Sequence, residues 1–468
     1  MTSAVVLGGG FAGMLAATAL LPHADTVTVY EHDELPDGPQ HRRGLPQAHH
    51  NHMLMGGGVL ALDSLLPGVA AALERAGAQR RELLGGFLVL SAGGWYRRTE
   101  AQEPFVLACS RVLLDHVVRE HALRDGRIRV VQNTTATGLL GDANRVTGVR
   151  LAGRDGGTTT VSADFVVDAT GRRSKAPQWL TDLGLPAVRE DVVDAGFAYS
   201  SRFFEAPAGF HEGFPGILIQ AQPATGRPGQ GLALVPNEQG RWIVALIGTR
   251  GGQPPTDEAG FLKFARNLRH PIVADLLEHA KPVSEIRSYK DLASRRRFYD
   301  KLPVPDGFLA LGDSASVVNP TYATGMSVAA RSAVAFRAAL DRKGLVRGLS
   351  RRVQKDVAKA ADGPWQMALG ADRWFPEASS TVSKPPSAGQ QRMAARYTVT
   401  AGADPRVAGA LFRVAAQMAP PTSMMTPRVL WSVLRGPRRP LLTAPEAIAQ
   451  FPQLGELVTA RETVPPEW

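Results

Sequence analysis

Three glycines, Gly8, Gly10 and Gly13, stand in the spacing G-x-G-x-x-G, after Ala4-Val5-Val6-Leu7 and before the apolar run Met14-Leu15-Ala16-Ala17. That spacing suits a diphosphate. The first glycine permits a tight turn, and the second lets backbone approach the phosphates. The third lets the following helix pack close to the strand, and the helix N-terminus faces the anion. Phe11 and Ala12 fill the positions between the last two glycines, at the helix start. A second strand, Val27-Thr28-Val29-Tyr30, ends in Glu31 with His32 beside it; Glu31 lies 18 residues past Gly13, about where a carboxylate accepts a ribose hydroxyl. A chain with 48 glycines produces such spacings by chance, and a ligand-free βα turn is the bland alternative. The strand before, the helix after and the acid beyond favour a nucleotide.

Two later stretches repeat the pattern of a buried strand entering a polar turn. One is Phe165-Val166-Val167-Asp168-Ala169-Thr170-Gly171, and the other is Phe308-Leu309-Ala310-Leu311-Gly312-Asp313-Ser314-Ala315. Asp313 could simply cap a turn, but its place after a buried strand makes it a binding candidate. Asn319-Pro320-Thr321-Tyr322-Ala323-Thr324-Gly325-Met326 then leads into a long helix expected over 328–340. A polar loop, Gln40 to His52, carries Arg42, Arg43 and the close histidines His49, His50 and His52. No cysteine or carboxylate completes a metal spacing there, so the favoured reading is a loop whose arginine and backbone face a cofactor. Arg111 opens a helix behind Ser110, a suitable N-cap.

These residues need a frame. The buried strands separated by helices call for an α/β fold, α+β overall: a Rossmann-like nucleotide-binding domain expected over residues 1–82, 98–190 and 300–343. One helix is expected over 57–76. Between 195 and 250 the pattern changes to closely spaced strands with turns, which implies an inserted, mostly antiparallel sheet. That sheet, with a hairpin at 83–97, defines a substrate domain over 83–97 and 191–299. Residues 344–468 form a C-terminal helical region packed on the body, where Val407, Leu411, Val414 and Met418 make one apolar helical face. A basic, apolar piece from Pro427 to Pro440 is expected to pack or act as a lid, with contact to a membrane surface the less favoured alternative.

Composition narrows the function. The net charge of +10 is carried mainly by dispersed arginine, with no basic stripe or motif for nucleic acid. Part of that charge can serve an anionic cofactor and the rest is expected on solvated surface. A single cysteine, Cys109, leaves no intrachain disulfide and fits a reducing cytoplasm, the expected location. No window resembles a transmembrane span.

In order, the Gly8/Gly10/Gly13 turn with Glu31, the Asp168 to Ser174 turn and Leu311-Gly312-Asp313-Ser314-Ala315 resemble the flavin monooxygenase superfamily that includes para-hydroxybenzoate hydroxylase and squalene epoxidase, over about residues 1–340. The third motif discriminates, since an NAD dehydrogenase has no use for a second cofactor strand so far downstream and the longer FAD molecule does. The resemblance implies that Glu31 holds the adenosine ribose and that Asp313 accepts from a ribityl hydroxyl. It sets Arg111 beside the cofactor, Arg43 in the flavin-proximal loop, and Gly325 and Met326 at a helix N-terminus aimed at the flavin pyrimidine. Aromatic hydroxylases usually carry Asp-Gly where this chain has Asp168-Ala169. With Arg43-Gly44-Leu45-Pro46-Gln47 and the Asn319 to Ser327 stretch, this version looks more like bacterial epoxidases of polyketide polyenes that prepare polyethers.

The implied activity is epoxidation of C=C bonds in a large hydrophobic polyketide by a flavin C4a-hydroperoxide. FAD and molecular oxygen take part, and electrons come from NAD(P)H directly or through a separate reductase. The substrate arrives free or on a carrier protein. Aromatic hydroxylation and oxygen-independent reduction of isoprenoid double bonds are the rivals. A flavin halogenase is disfavoured because the chain has no Trp-x-Trp.

Overall fold

The computed structural model describes residues 1–223, 225–290, 292–382 and 387–458. Its centre is a five-stranded parallel sheet in the order Phe308–Ala310, Phe165–Asp168, Ser3–Leu7, Thr26–Tyr30, Ile128–Val131. Phe308–Ala310, Phe165–Asp168 and Ser3–Leu7 are almost wholly apolar and buried because both faces are covered, as a parallel sheet requires. Helix Phe11–Leu20 is buried nearly all round, packed between the sheet and helices Arg111–Leu123 and Gly325–Lys343. The glycine turn therefore opens into the middle of the molecule.

The second sheet has eight strands. Lys281–Pro282, Ala198–Glu205, Arg241–Gly248, Gln230–Asn237, Gly216–Ile219, Phe87–Ser91 and Gly94–Trp95 run in that order, with Arg287–Tyr289 also paired to Ala198–Glu205. All pairs are antiparallel except Gly216–Ile219 with Phe87–Ser91. Alternation sets its two faces. Trp242, Val244 and Leu246 join Leu232 and Leu234 under helices Glu258–Arg266 and Ile272–Leu277, whereas Ile243, Val235 and Ala233 face Tyr397, Val407 and Phe412 of the C-terminal helices. Fold class is thus mixed α/β, with a Rossmann-like core, antiparallel sheets and C-terminal helices.

Two local expectations need correction. The single helix over 57–76 is two helices, Gly56–Leu65 and Val69–Arg75, bent by 115°. Between them Pro67 has no N–H to continue the ladder, and Gly68 takes φ +84°. The arginine cluster at 295–297 is not solvated surface either. Arg296 and Arg297 are buried. Arg297 donates to the Ser314 carbonyl at 2.9 Å, the Arg172 carbonyl at 3.2 Å and the Glu190 carboxylate at 3.1 Å. It ties together the turns that follow two central strands.

Helix Leu349–Asp372, beyond the last central strand, completes the core. Phe308–Ala310 lies at the sheet edge, where one row of backbone groups lacks a strand partner. Gln354 supplies one: its Oε1 accepts from the Ala310 N–H and its Nε2 donates to the Ala310 carbonyl, both at 3.1 Å. Ser350 Oγ accepts from the Phe308 N–H at 3.2 Å. Replacing Gln354 by Leu leaves two buried backbone groups unpaired and is expected to cost about 1–3 kcal/mol. The urea midpoint should fall with an unchanged m-value, and an unchanged midpoint would show that the edge needs no cap.

Candidate functional site

The turn after Ser3–Leu7 leaves no room for side chains. Gly8 has φ +97°, and a β-carbon there would lie 2.6 Å from the Ala169 carbonyl oxygen. A β-carbon at Gly13 would meet the Gly8 carbonyl oxygen at 1.8 Å. The helix is thereby pulled onto the strand, and its first N–H groups, which have no partner within the helix, face outward past Gly10. Gly312, at φ +65°, approaches from the other side; a β-carbon there would lie 2.8 Å from that of Ala12. The third motif thus touches the first across about 300 residues of sequence.

Glu31 is buried beside this turn. Its Oε2 accepts from the Gly9 N–H at 2.6 Å and its Oε1 from the Asp33 N–H at 2.9 Å, with His32 Nδ1 2.8 Å away. Burial alone would raise its pKa, but His32, Arg42 and the two backbone donors outweigh it and hold the carboxyl at about 2. Arg42 Nη1 lies 3.2 Å from Asp33 Oδ2 and 3.4 Å from Glu31 Oε1, and its Nη2 is 3.5 Å from where a β-carbon on Gly10 would sit. Arg43, singled out from sequence, is exposed and stands outside this cluster. Its neighbour Arg42 was legible only as part of a basic pair.

On the far side, Ser110 Oγ caps the helix beginning at Arg111 by accepting from the Leu113 N–H. Arg111 is buried, donates to Asp115 at 2.6 Å and has its guanidinium 6.0 Å from the Phe11 ring. Burial pushes the Asp313 carboxyl above its ordinary value against the pull of Arg111 and Arg172. That carboxylate has no hydrogen-bond partner among the described residues, and its Oδ1 is 3.7 Å from a β-carbon position on Gly325. Helix Gly325–Lys343 has no acid in its first turn. At its start the buried Thr324 Oγ1 and Ser327 Oγ have no partner either. Met326 is partly buried against the core. Phe11, Ala12, Arg111, Asp313 and Gly325 therefore converge.

The histidines of the 40–52 loop have separate partners. His41 and His49 stack at 3.8 Å, His50 Nδ1 lies 2.8 Å from Ser201 Oγ, and His52 Nδ1 donates to the His50 carbonyl at 2.8 Å. Among the described residues one group could gather round a metal, Glu31, His32 and Asp33. Backbone donors and Arg42 already satisfy that group. Burial lowers His50 to about 4 and, with help from Arg111, His52 to about 3. Both are neutral near pH 7. His50 lies 6.0 Å from the Tyr199 ring and 5.7 Å from that of Tyr289. Tyr199 donates to Asn319 Oδ1 at 3.4 Å and bonds Thr321; Tyr322 donates to Asp372 at 2.6 Å. Burial raises Asp372 to about 6. Tyr322 lies within the Asn319 to Ser327 stretch, whereas no sequence motif marked Tyr199 or Asp372.

Residues 1–342 match the family described as FAD binding domain. The chain belongs to this family, within the FAD-dependent monooxygenase superfamily. It is 31% identical over 389 residues to Protein Rv3254 of Mycobacterium tuberculosis, covering 81% of each chain. It is 28% identical over 371 residues to 6-methylpretetramide 4-monooxygenase of Streptomyces rimosus, covering 76% of this chain and 79% of the relative. A solved flavin-dependent brominase, a triple mutant of Bmp2, superposes with a TM-score of 0.65 at 14% identity over 92% of this chain and 99% of the other, a likeness of fold. FAD is the family's cofactor and O2 its co-substrate, with NAD(P)H the typical reductant. Glycines packed too closely for a β-carbon, open helix N-termini and an unpartnered Asp313 carboxylate fit a long dinucleotide.

Because its pKa is depressed, Glu31 contributes stability above the ordinary 4.5 that is lost as pH falls toward about 2. Glu31→Gln is expected to remove that part of the acid-limb slope. Urea midpoints measured from pH 5 down to pH 2 check this; parallel curves for the two proteins would contradict it.

Proposed function

We propose that the chain uses FAD to insert one atom of O2 into a large hydrophobic substrate of polyketide type. The observation that carries this is the convergence of the Gly8–Gly13 turn, Asp313 and the start of helix Gly325–Lys343. In this reading the glycine turn and the N-terminus of helix Phe11–Leu20 hold the diphosphate, and Glu31 holds the adenosine ribose. Asp313 accepts from the ribityl chain. Arg111 lies alongside, and Gly325 and Met326 present the helix N-terminus to the isoalloxazine. There the helix dipole favours negative charge. Arg42, whose Nη2 is 3.5 Å from a β-carbon position on Gly10, lies beside the diphosphate, and Arg43 belongs to the flavin-proximal loop. When bound and reduced, the flavin supplies the activation of O2.

The product follows from which C=C bond is presented. The 43–47 and 319–327 sequences support epoxidation of a polyene. A second reading, ring hydroxylation of an aromatic polyketide, has support from the site: a phenol needs a hydrogen-bond partner, and the buried His50 and Tyr199 with the half-buried Tyr289 supply a cluster of them. In the tautomer whose Nδ1 donates to Ser201 Oγ, a neutral His50 leaves Nε2 as an acceptor for a phenolic proton. The relative that acts on 6-methylpretetramide adds to this second reading, which we favour. The apolar cluster of Phe197, Leu292 and Phe375 around Tyr199 keeps water away from this group.

Turnover of phenolic polyketides and of polyenes with NAD(P)H under isotopically labelled O2 separates the readings. A labelled hydroxyl supports the favoured one and a labelled epoxide the other, whereas unlabelled, oxygen-independent reduction would overturn both. Omitting a flavin reductase tests direct reduction by NAD(P)H. Asp313→Ala removes an acceptor for the ribityl chain and is expected to weaken FAD binding about ten- to hundredfold, read by fluorescence titration.

A further inference from the structure

The 41 residues from Pro405 to Pro445 contain six arginines and no aspartate or glutamate. Helix Pro427–Arg435 lies within this stretch and turns Val429 and Val433 inward, against the layer beneath the eight-stranded sheet. Arg396 donates to the Val433 carbonyl at 2.6 Å and to that of Leu434, fixing the helix end. Packing therefore occupies one face only. Opposite it, Trp431 is 55% and Leu434 54% exposed, with Met425 before the helix at 67% and Leu441 after it at 38%. Such side chains are costly to leave in water, and four of the ten exposed large hydrophobics fall within these 17 residues. Arg428, Arg435, Arg438 and Arg439 surround them, all exposed and without an acidic partner among the described residues. The Arg435 guanidinium lies 4.4 Å over the Trp431 ring. The nearby acids are engaged elsewhere: Asp404 and Glu446 cap helices and Glu103 pairs with Arg413.

We propose that this surface docks on an anionic lipid bilayer. An indole, a leucine and a methionine exposed along a stretch that also exposes four arginines suit the boundary between headgroups and acyl chains, where apolar area and cationic attraction add. No single helix among the described residues is long and apolar enough to cross a membrane, so the contact is superficial. Its position gives it a use. Leu441 lies 3.6 Å from a β-carbon position on Gly94, Leu442 bridges Trp95, and Arg97 donates to the Pro440 carbonyl at 2.8 Å. The docked surface thus borders the edge hairpin of the eight-stranded sheet, and a lipid-dissolved substrate would meet the protein on that side. The docking itself does not rest on the oxygenation chemistry.

The test is co-sedimentation of the FAD-loaded protein with vesicles of phosphatidylcholine alone and of phosphatidylcholine mixed equally with phosphatidylglycerol. Binding is expected to the anionic vesicles and to weaken with salt. Trp431→Ser with Leu434→Ser should reduce it about tenfold or more. Arg438→Gln with Arg439→Gln should reduce it on anionic vesicles by a similar factor. Turnover of a water-soluble substrate should be unchanged in all of them, so failure of docking is separable from failure of the proposed chemistry. No vesicle binding by the unsubstituted protein overturns the proposal. Binding indifferent to Trp431 and Leu434 overturns it too, as adsorption by net charge alone. A dimer in solution that the Trp431 and Leu434 substitutions dissociate, or capture of an acidic protein without vesicle binding, would assign the surface to a protein partner instead.

Discussion

A β-carbon on residue 13 would sit 1.8 Å from the Gly8 carbonyl oxygen, and one on residue 312 would sit 2.8 Å from that of Ala12. These close approaches depend on the absence of side chains, and everything at the site depends on them. They bring a helix N-terminus, a carboxylate-bearing turn and a second helix start to one place. They also exclude the bulk that would otherwise keep water between the segments. Glu31, expected from sequence to hold the adenosine ribose, also reinforces the arrangement from behind, since its carboxylate holds the Gly9 N–H and so fixes the turn.

Around that point the polar groups divide into two kinds. Arg297 and Gln354 are structural: they satisfy backbone carbonyls and N–H groups at the ends and edge of the central sheet. His50, Tyr199, Tyr322 and Asp372 are held in uncharged or easily protonated states by burial. Neutral, buried imidazole and phenol groups suit an apolar partner bearing hydroxyls better than an ionic one.

Much of the frame was legible because its signals are local. A buried β-strand running into a glycine turn is read within about a dozen residues, and three such units mark three adjacent strands of the central sheet. The expected hairpin at 83–97 exists as Phe87–Ser91 and Gly94–Trp95, since alternation survives in a short segment. The break at Pro67-Gly68 was missed because apolar residues on both sides continue a helical period. The place of Arg42 by the glycine turn was not legible, since nothing in an Arg-Arg pair says which side chain turns inward. Tyr199, Asn319 and Asp372 are brought together from a strand, a loop and a helix separated by more than 170 residues end to end, and no spacing encodes that. The burial of Arg296 and Arg297 was hidden for the same reason: Arg296 meets Asp362 and the Ala358 carbonyl of a later helix, and Arg297 meets Glu190 and the carbonyls of two distant turns.

The glutamine cap on the sheet edge bears on how the chain assembles. The strand at 308–310 is the last to enter the central sheet, and the helix that closes it ends at Asp372, about four fifths of the way along the 468 residues. A ribosome releasing the chain from its N-terminus would expose Ser3–Leu7 and its apolar helix long before their final neighbours emerge. The nucleotide pocket therefore ripens late, as the closing of a long loop rather than as an early nucleus. Meanwhile, those early segments are the ones most in need of shelter from aggregation.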